Sequence, residues 1–147
     1  MRERGRRLRW HGILLFLLGL LTGLFVGALT NPRMGLSAHL EGVMNGTFLV
    51  VLGLMWKNLR LGRRPAKTAF WLALYAAYVN WASTLAAAIF GTSEMTPIAG
   101  AGFLGEPWQE HLVSVALATV ATAMVAACAI VLWGLRRPAE NSQGLRP

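Results

Sequence analysis

His39 stands in the middle of an apolar stretch, in the run Gly35-Leu36-Ser37-Ala38-His39-Leu40-Glu41-Gly42-Val43-Met44-Asn45-Gly46-Thr47. At about 100° per residue, Gly35, His39, Gly42, Gly46 and Gly53 fall in one narrow stripe of a helix. An imidazole therefore stands in a groove floored by glycine, and two readings of it compete. In one, the glycines let a neighbouring helix approach and His39 donates a hydrogen bond across the interface. In the other, a flat cofactor lies against Gly35, Gly42 and Gly46 while His39 ligates its metal, imidazole being a common axial ligand of haem iron. Only His39 lies within a span, so a haem held by it keeps a position open for substrate.

Beside the stripe, Glu41 and Asn45 are four residues apart and are neighbours on a flank. Asn45 can hold a substrate by its amide; Glu41 can take or give a proton, or pair with Arg33 or a partner subunit. A later apolar stretch carries Tyr75, Tyr78, Asn80, Trp81, Ser83 and Thr84. Asn80 and Thr84 share one face, and Tyr78 and Trp81 another. Such a set forms either interhelical hydrogen bonds or an aromatic box with amide donors, suited to a small aromatic substrate. His11 beside Trp10 and His111 beside Glu110 read as interfacial side chains. No nucleophile elbow, zinc-protease pair, phosphate loop or dinucleotide fingerprint is present.

The elements that position these residues follow from composition. Of 147 residues, 55% are hydrophobic and only 14% charged, against about 25% charged in a soluble domain. Four apolar stretches, 13–29, 36–56, 68–90 and 112–135, each approach the ~20 residues a helix needs to cross a bilayer. The expected fold is an all-α integral membrane four-helix bundle over residues 1–137, with a disordered polar tail from 138. Asn31 and Pro32 favour a break between the first two spans, a basic linker joins the next two, and residues 91–110 form a long loop of the kind that serves as a lid or binding segment. In the first span, Gly19, Gly23 and Gly27 at four-residue spacing mark a face for close helix approach, which a cleaved leader would not need.

The net charge is +8, yet its distribution argues against nucleic acid. Arg2, Arg4, Arg6, Arg7 and Arg9, then Lys57 to Lys67, then Arg136, Arg137 and Arg146 flank spans on one side, and only Arg33 lies on the other. That asymmetry predicts cytoplasmic termini for a multi-pass protein of a bacterial inner membrane. The single cysteine, Cys128, excludes an internal disulfide framework and cysteine-based metal sites.

The segment from Asn31 to Phe48, with Gly100-Ala101-Gly102 and Gly105-Glu106-Pro107-Trp108-Gln109-Glu110, closely resembles the hydroxylaminobenzene mutases. More distantly, His11-Gly12-Ile13-Leu14 and Ala38-His39-x-x-Gly42-x-x-Asn45-Gly46 are similar to styrene oxide isomerase, a four-helix membrane enzyme that assembles as a trimer with haem b between protomers. The resemblance implies that His39 is the axial ligand, that Asn45 and Asn80 match active-site asparagines, and that the substrate is a small aryl hydroxylamine rearranged to an aminophenol without net redox change. The isomerase's substrate-orienting tyrosine falls at Thr84 and a nearby aspartate at Ala76, so orientation and proton handling pass to Tyr78, Glu41 or a loop residue. Two rival classes are a small proton-coupled multidrug transporter using Glu41 and a haem electron-transfer subunit; the first usually carries its glutamate in the first span, which has none here.

Overall fold

The computed structural model describes residues 2–136; the tail from residue 138, expected to be disordered, lies outside them. Helix α1 is Arg2–Phe25 and ends in a 3-10 turn, Val26–Ala28. Helix α2 is Pro32–Met55, followed by a similar turn, Trp56–Asn58; α3 is Arg63–Phe90, α4 is the single turn Pro97–Gly100, and α5 is Pro107–Arg136. Of these, α1, α2, α3 and α5 are long and apolar enough to cross a membrane.

The long helices begin before their apolar runs do. Arginine and lysine are good helix formers, so Arg63, Arg64 and Lys67 belong to α3 and not to the linker where the charge pattern put them. Pro32 and Pro107 open α2 and α5, where a missing N–H and a preset φ fit the first turn. Asn31 caps α2: its side-chain oxygen accepts from the N–H of Arg33 at 3.1 Å and of Met34 at 3.2 Å. Gly91 ends α3 in the left-handed region, φ 74°, which glycine enters without penalty.

Helices α1 and α2 run antiparallel with their backbones nearly touching. Gly5 meets Gly53, Gly12 meets Gly46, and Gly19 meets Gly42. The repeat on α1 is seven residues, two turns, so the three glycines stay on one side. A Cβ on Gly42 would lie 2.5 Å from the Cα of Gly19, so a methyl group there would push the helices apart. Gly27, expected to share this face, has nothing within 4 Å of its Cβ position, because the chain has already left α1.

Helix α3 packs on α2, with Leu8, Leu15, Leu49, Leu52, Trp56 and Phe70 filling the space around its alanines. The expected four-helix bundle is realised only in part. Helix α5 lies along α3 and makes no comparable contact with α1 or α2, so it is an outer helix on a three-helix core. Leu24, Met44 and Val125 are 77%, 63% and 70% exposed, an outward apolar surface that suits lipid and not water.

The loop after α3 is more ordered than its composition suggests. The Glu110 carboxylate, at the start of α5 and ahead of its apolar run, accepts N–H bonds from Ser93, Glu94 and Gly105 at 2.9 to 3.0 Å. From the other side, the fully buried Asn31 donates its amide to the carbonyl of Gly100 at 3.0 Å. Both ends of the loop are thereby tied to helix termini.

Candidate functional site

The imidazole of His39 is held from α1. Its Nδ1 lies 2.8 Å from the carbonyl oxygen of Gly19. A carbonyl only accepts, so this contact assigns the proton to Nδ1 and leaves the lone pair on Nε2. A histidine that ligates a metal through one ring nitrogen commonly donates the other to such an acceptor, which fixes its tautomer and orientation. The ring rests over Gly23, where a Cβ would come within 2.6 Å of Nδ1. Around it opens a groove of about 560 Å³ lined by Leu20, Leu21, Gly23, Leu24, Val26 and Leu36.

These features fit a haem. The cradle depends on a glycine, the wall is hydrocarbon, and one imidazole nitrogen is available. Among the described residues no three His, Cys, Asp or Glu side chains converge, so a bare ion has no protein ligand set. A macrocycle that brings its own equatorial ligands requires only one. The glycine floor proposed from the helical stripe is corrected, however. Gly42 and Gly46 face the backbone of α1 at Gly19, Gly12 and Phe16, and Gly35 lies under Leu29 and Val26. That side of α2 is occupied by the same chain, and the surface beside His39 is formed instead by Gly23 and the α1 leucines.

A second polar group sits between α2 and α3. Asn45 donates its amide to Glu41 Oε2 at 2.9 Å, and Asn80 donates to the same oxygen at 2.5 Å. The i, i+4 spacing on α2 brings Glu41 and Asn45 together, while the antiparallel run of α3 supplies Asn80. Asn45 is buried and Glu41 partly so. Two amide donors on one carboxylate oxygen replace the water that the membrane interior removes. Arg33 takes no part in this cluster.

Two of the residues expected here are turned elsewhere. Tyr78 is about 200° around α3 from Asn80 and points to α1, its hydroxyl 3.1 Å from Nδ1 of His11. It therefore does not join Glu41, and His11, read as an interfacial side chain, is its partner. Thr84 shares the Asn80 face, but its hydroxyl donates back to the Asn80 carbonyl at 2.8 Å. That bond anchors the helix turn and withdraws the hydroxyl from the cluster. Trp81, on the Tyr78 side, donates to Thr22 of α1 at 3.2 Å.

The sequence reading missed the Gly19 carbonyl, Gly23 as the seat of the ring, and the anchors Asn31 and Glu110. Only the glycines left a usable signal, in the seven-residue interval from Gly5 through Gly12 to Gly19.

Four apolar helices, one buried-edge histidine and an amide-held carboxylate define a polytopic helical protein, and the chain belongs to the styrene oxide isomerase family, whose profile matches residues 4–136. Two relatives from Ectopseudomonas oleovorans are similar over most of their length. Hydroxylaminobenzene mutase HabB is 52% identical over 132 residues, covering 89% of this chain and 80% of the relative. Hydroxylaminobenzene mutase HabA is 41% identical over 127 residues, covering 86% and 94%. No solved structure matches the chain.

Proposed function

We propose that this chain is a membrane isomerase that rearranges hydroxylaminobenzene, or a close aryl hydroxylamine, to the 2-aminophenol, with haem b held by His39 at an interface between copies in a homotrimer. The observation that carries the haem reading is the His39 Nδ1 bond to Gly19, which leaves Nε2 available beside an apolar groove. The names of the two mutases support the substrate class. A ferric haem bound there would supply a Lewis acid for the hydroxylamine oxygen with no net redox change.

The protein's own part is positioning and proton transfer. In the net reaction the N–O bond breaks, a C–O bond forms at the ortho carbon, that carbon loses a proton and nitrogen gains one. One group able to take and return a proton is enough, and Glu41 is that group, with Asn80 holding the carboxylate. Asn45, bonded to the same oxygen, is placed to orient the aromatic ring against it. The leucines of the groove keep bulk water from capturing an electron-poor ring.

His39 and Glu41 are two residues apart on α2, about 200° around the helix. One chain therefore presents the metal ligand on one side and the proton carrier on the other. Rotational assembly of copies brings the first side of one to the second side of the next, which supports a closed ring with the cofactor between subunits. The basic ends of the helices lie together: Glu3, Arg4, Leu61 and Arg63 line one hollow, and Arg60 bonds the α5 backbone at Gly134. With that end cytoplasmic, the charge asymmetry gives cytoplasmic termini in a bacterial inner membrane.

The test is an absorption spectrum with an activity assay on detergent-purified protein. The expected result is a Soret band and mutase turnover, both lost in His39→Ala. A colourless, fully active preparation would overturn the haem reading and leave the isomerase reading standing.

A further inference from the structure

Arg33 is out of place by the rule that orders every other cation in this chain. No other lysine or arginine occurs between Arg9 and Lys57, and none between Lys67 and Arg136. It stands in the first turn of α2, exposed, on the end of the molecule away from the basic flanks. Among the described residues no carboxylate meets its guanidinium. Glu110, on the same end, is already engaged by loop N–H groups.

A second groove, about 540 Å³, opens there between Arg33, Leu36 and Ser37 on α2 and Thr96, Pro97 and Ile98 of the loop. Leu36 also lines the groove of His39. The two hollows are thus neighbours on one helix, with Arg33 in the one at the start of α2 and His39 in the one further along it. Six residues separate the two side chains, about 9 Å along the axis at 1.5 Å per residue.

We infer that Arg33 binds a propionate carboxylate of the haem whose iron His39 holds, and so fixes which edge of the macrocycle faces water. The inference rests on the haem reading given above. A carboxylate in hydrocarbon is strongly disfavoured, so the acidic edge of a porphyrin must turn toward the closer membrane surface. From His39 the Asn31 end of α2 is about 12 Å away and the Trp56 end about 25 Å. The shorter path leads past Leu36 to Arg33, the one lysine or arginine at that end among the described residues. An arginine matches a carboxylate in a bidentate fork, and Ser37, whose hydroxyl bonds the Arg33 carbonyl at 3.1 Å, lines the same wall.

The test uses full-length protein expressed in haem-deficient cells, titrated with hemin and with hemin dimethyl ester, the Soret band reporting binding. Wild type, Arg33→Gln, Arg33→Lys and His39→Ala are compared, with circular dichroism checking helix content. Arg33→Gln is expected to weaken hemin binding about fivefold, the scale of a partly exposed ion pair. Arg33→Lys should recover part of the loss, and the dimethyl ester should bind wild type and Arg33→Gln alike. Equal hemin affinity in wild type and Arg33→Gln would overturn the propionate contact while His39→Ala still abolishes binding. An equal loss for the ester would overturn it too, since the arginine would then act on the fold and not on the carboxylate. If wild type takes up no hemin, or His39→Ala binds as well as wild type, the haem reading falls and the Arg33 contact falls with it.

Discussion

A Cβ on Gly23 would stand 2.6 Å from Nδ1 of His39, in the space between the imidazole and α1. The ring can keep its bond to Gly19 only because that space is open. Gly23→Ala is therefore expected to tilt the imidazole off its acceptor and weaken haem binding by roughly ten- to a hundredfold, the usual size of an outer-shell defect. Gly27→Ala is the matched control, since nothing lies within 4 Å of that position. Equal pigment in both variants, with equal helix content, would show that the ring is not seated as described.

The Glu41 carboxylate is shared by two amides, so their removal should not act independently. Asn45→Ala and Asn80→Ala are each expected to keep haem and lower kcat by about tenfold or more, with the double variant well short of the product of the two. Glu41→Gln should lower kcat further while leaving the Soret band in place. Unchanged turnover in Asn45→Ala would remove that residue from the site.

If the metal ligand and the proton carrier come from different copies, two impaired chains should rescue each other. Co-expressed His39→Ala and Glu41→Gln, mixed at random in a ring, give about a quarter of interfaces with both groups intact. Activity near that fraction, well above that of either variant alone, is the expected result. No recovery in demonstrably mixed oligomers would place the whole site within one chain.

Loop order should depend on acid. Burial of Glu110 acts to raise its affinity for a proton, but the N–H groups of Glu94, Gly105 and Ser93 outweigh it and hold the carboxyl below its ordinary range. A folded pKa below the unfolded one stabilises the loop above the unfolded value, and the effect is lost as pH falls through the folded one. Amide protection at Ser93, Glu94 and Gly105, taken relative to the intrinsic exchange rate at each pH, should be high at neutral pH and fall in acid. Glu110→Gln should show lower protection at neutrality, and a protection that changes little with pH; wild-type protection in that variant would contradict the anchoring role.

The spans were legible because hydrocarbon thickness sets the length of an apolar run, and the His39, Glu41 and Asn45 neighbourhood because three residues of one helix need only its period. The occupant of the glycine stripe was not. A missing Cβ at Gly42 and Gly46 signals that something comes close, and cannot say whether it is a ligand or the backbone of Gly19 and Gly12. Tyr78 was assigned by residue type, whereas its angle on α3 sends it to His11. The Glu110 anchor was hidden because its partners are main-chain groups 5 to 17 residues away, which no side-chain pattern encodes.

The three glycine contacts between α1 and α2 also bear on biogenesis. Every group named as shaping the His39 ring, from the Gly19 carbonyl to Leu36, is synthesised before Asn58. On the haem reading, the first hairpin to leave the ribosome thus carries this chain's share of the metal-ligand cradle, while the Glu41 carboxylate cluster waits for Asn80 to arrive with α3. Seating of the His39 ring and assembly of the carboxylate cluster are therefore separable in time, in the order in which the chain is made.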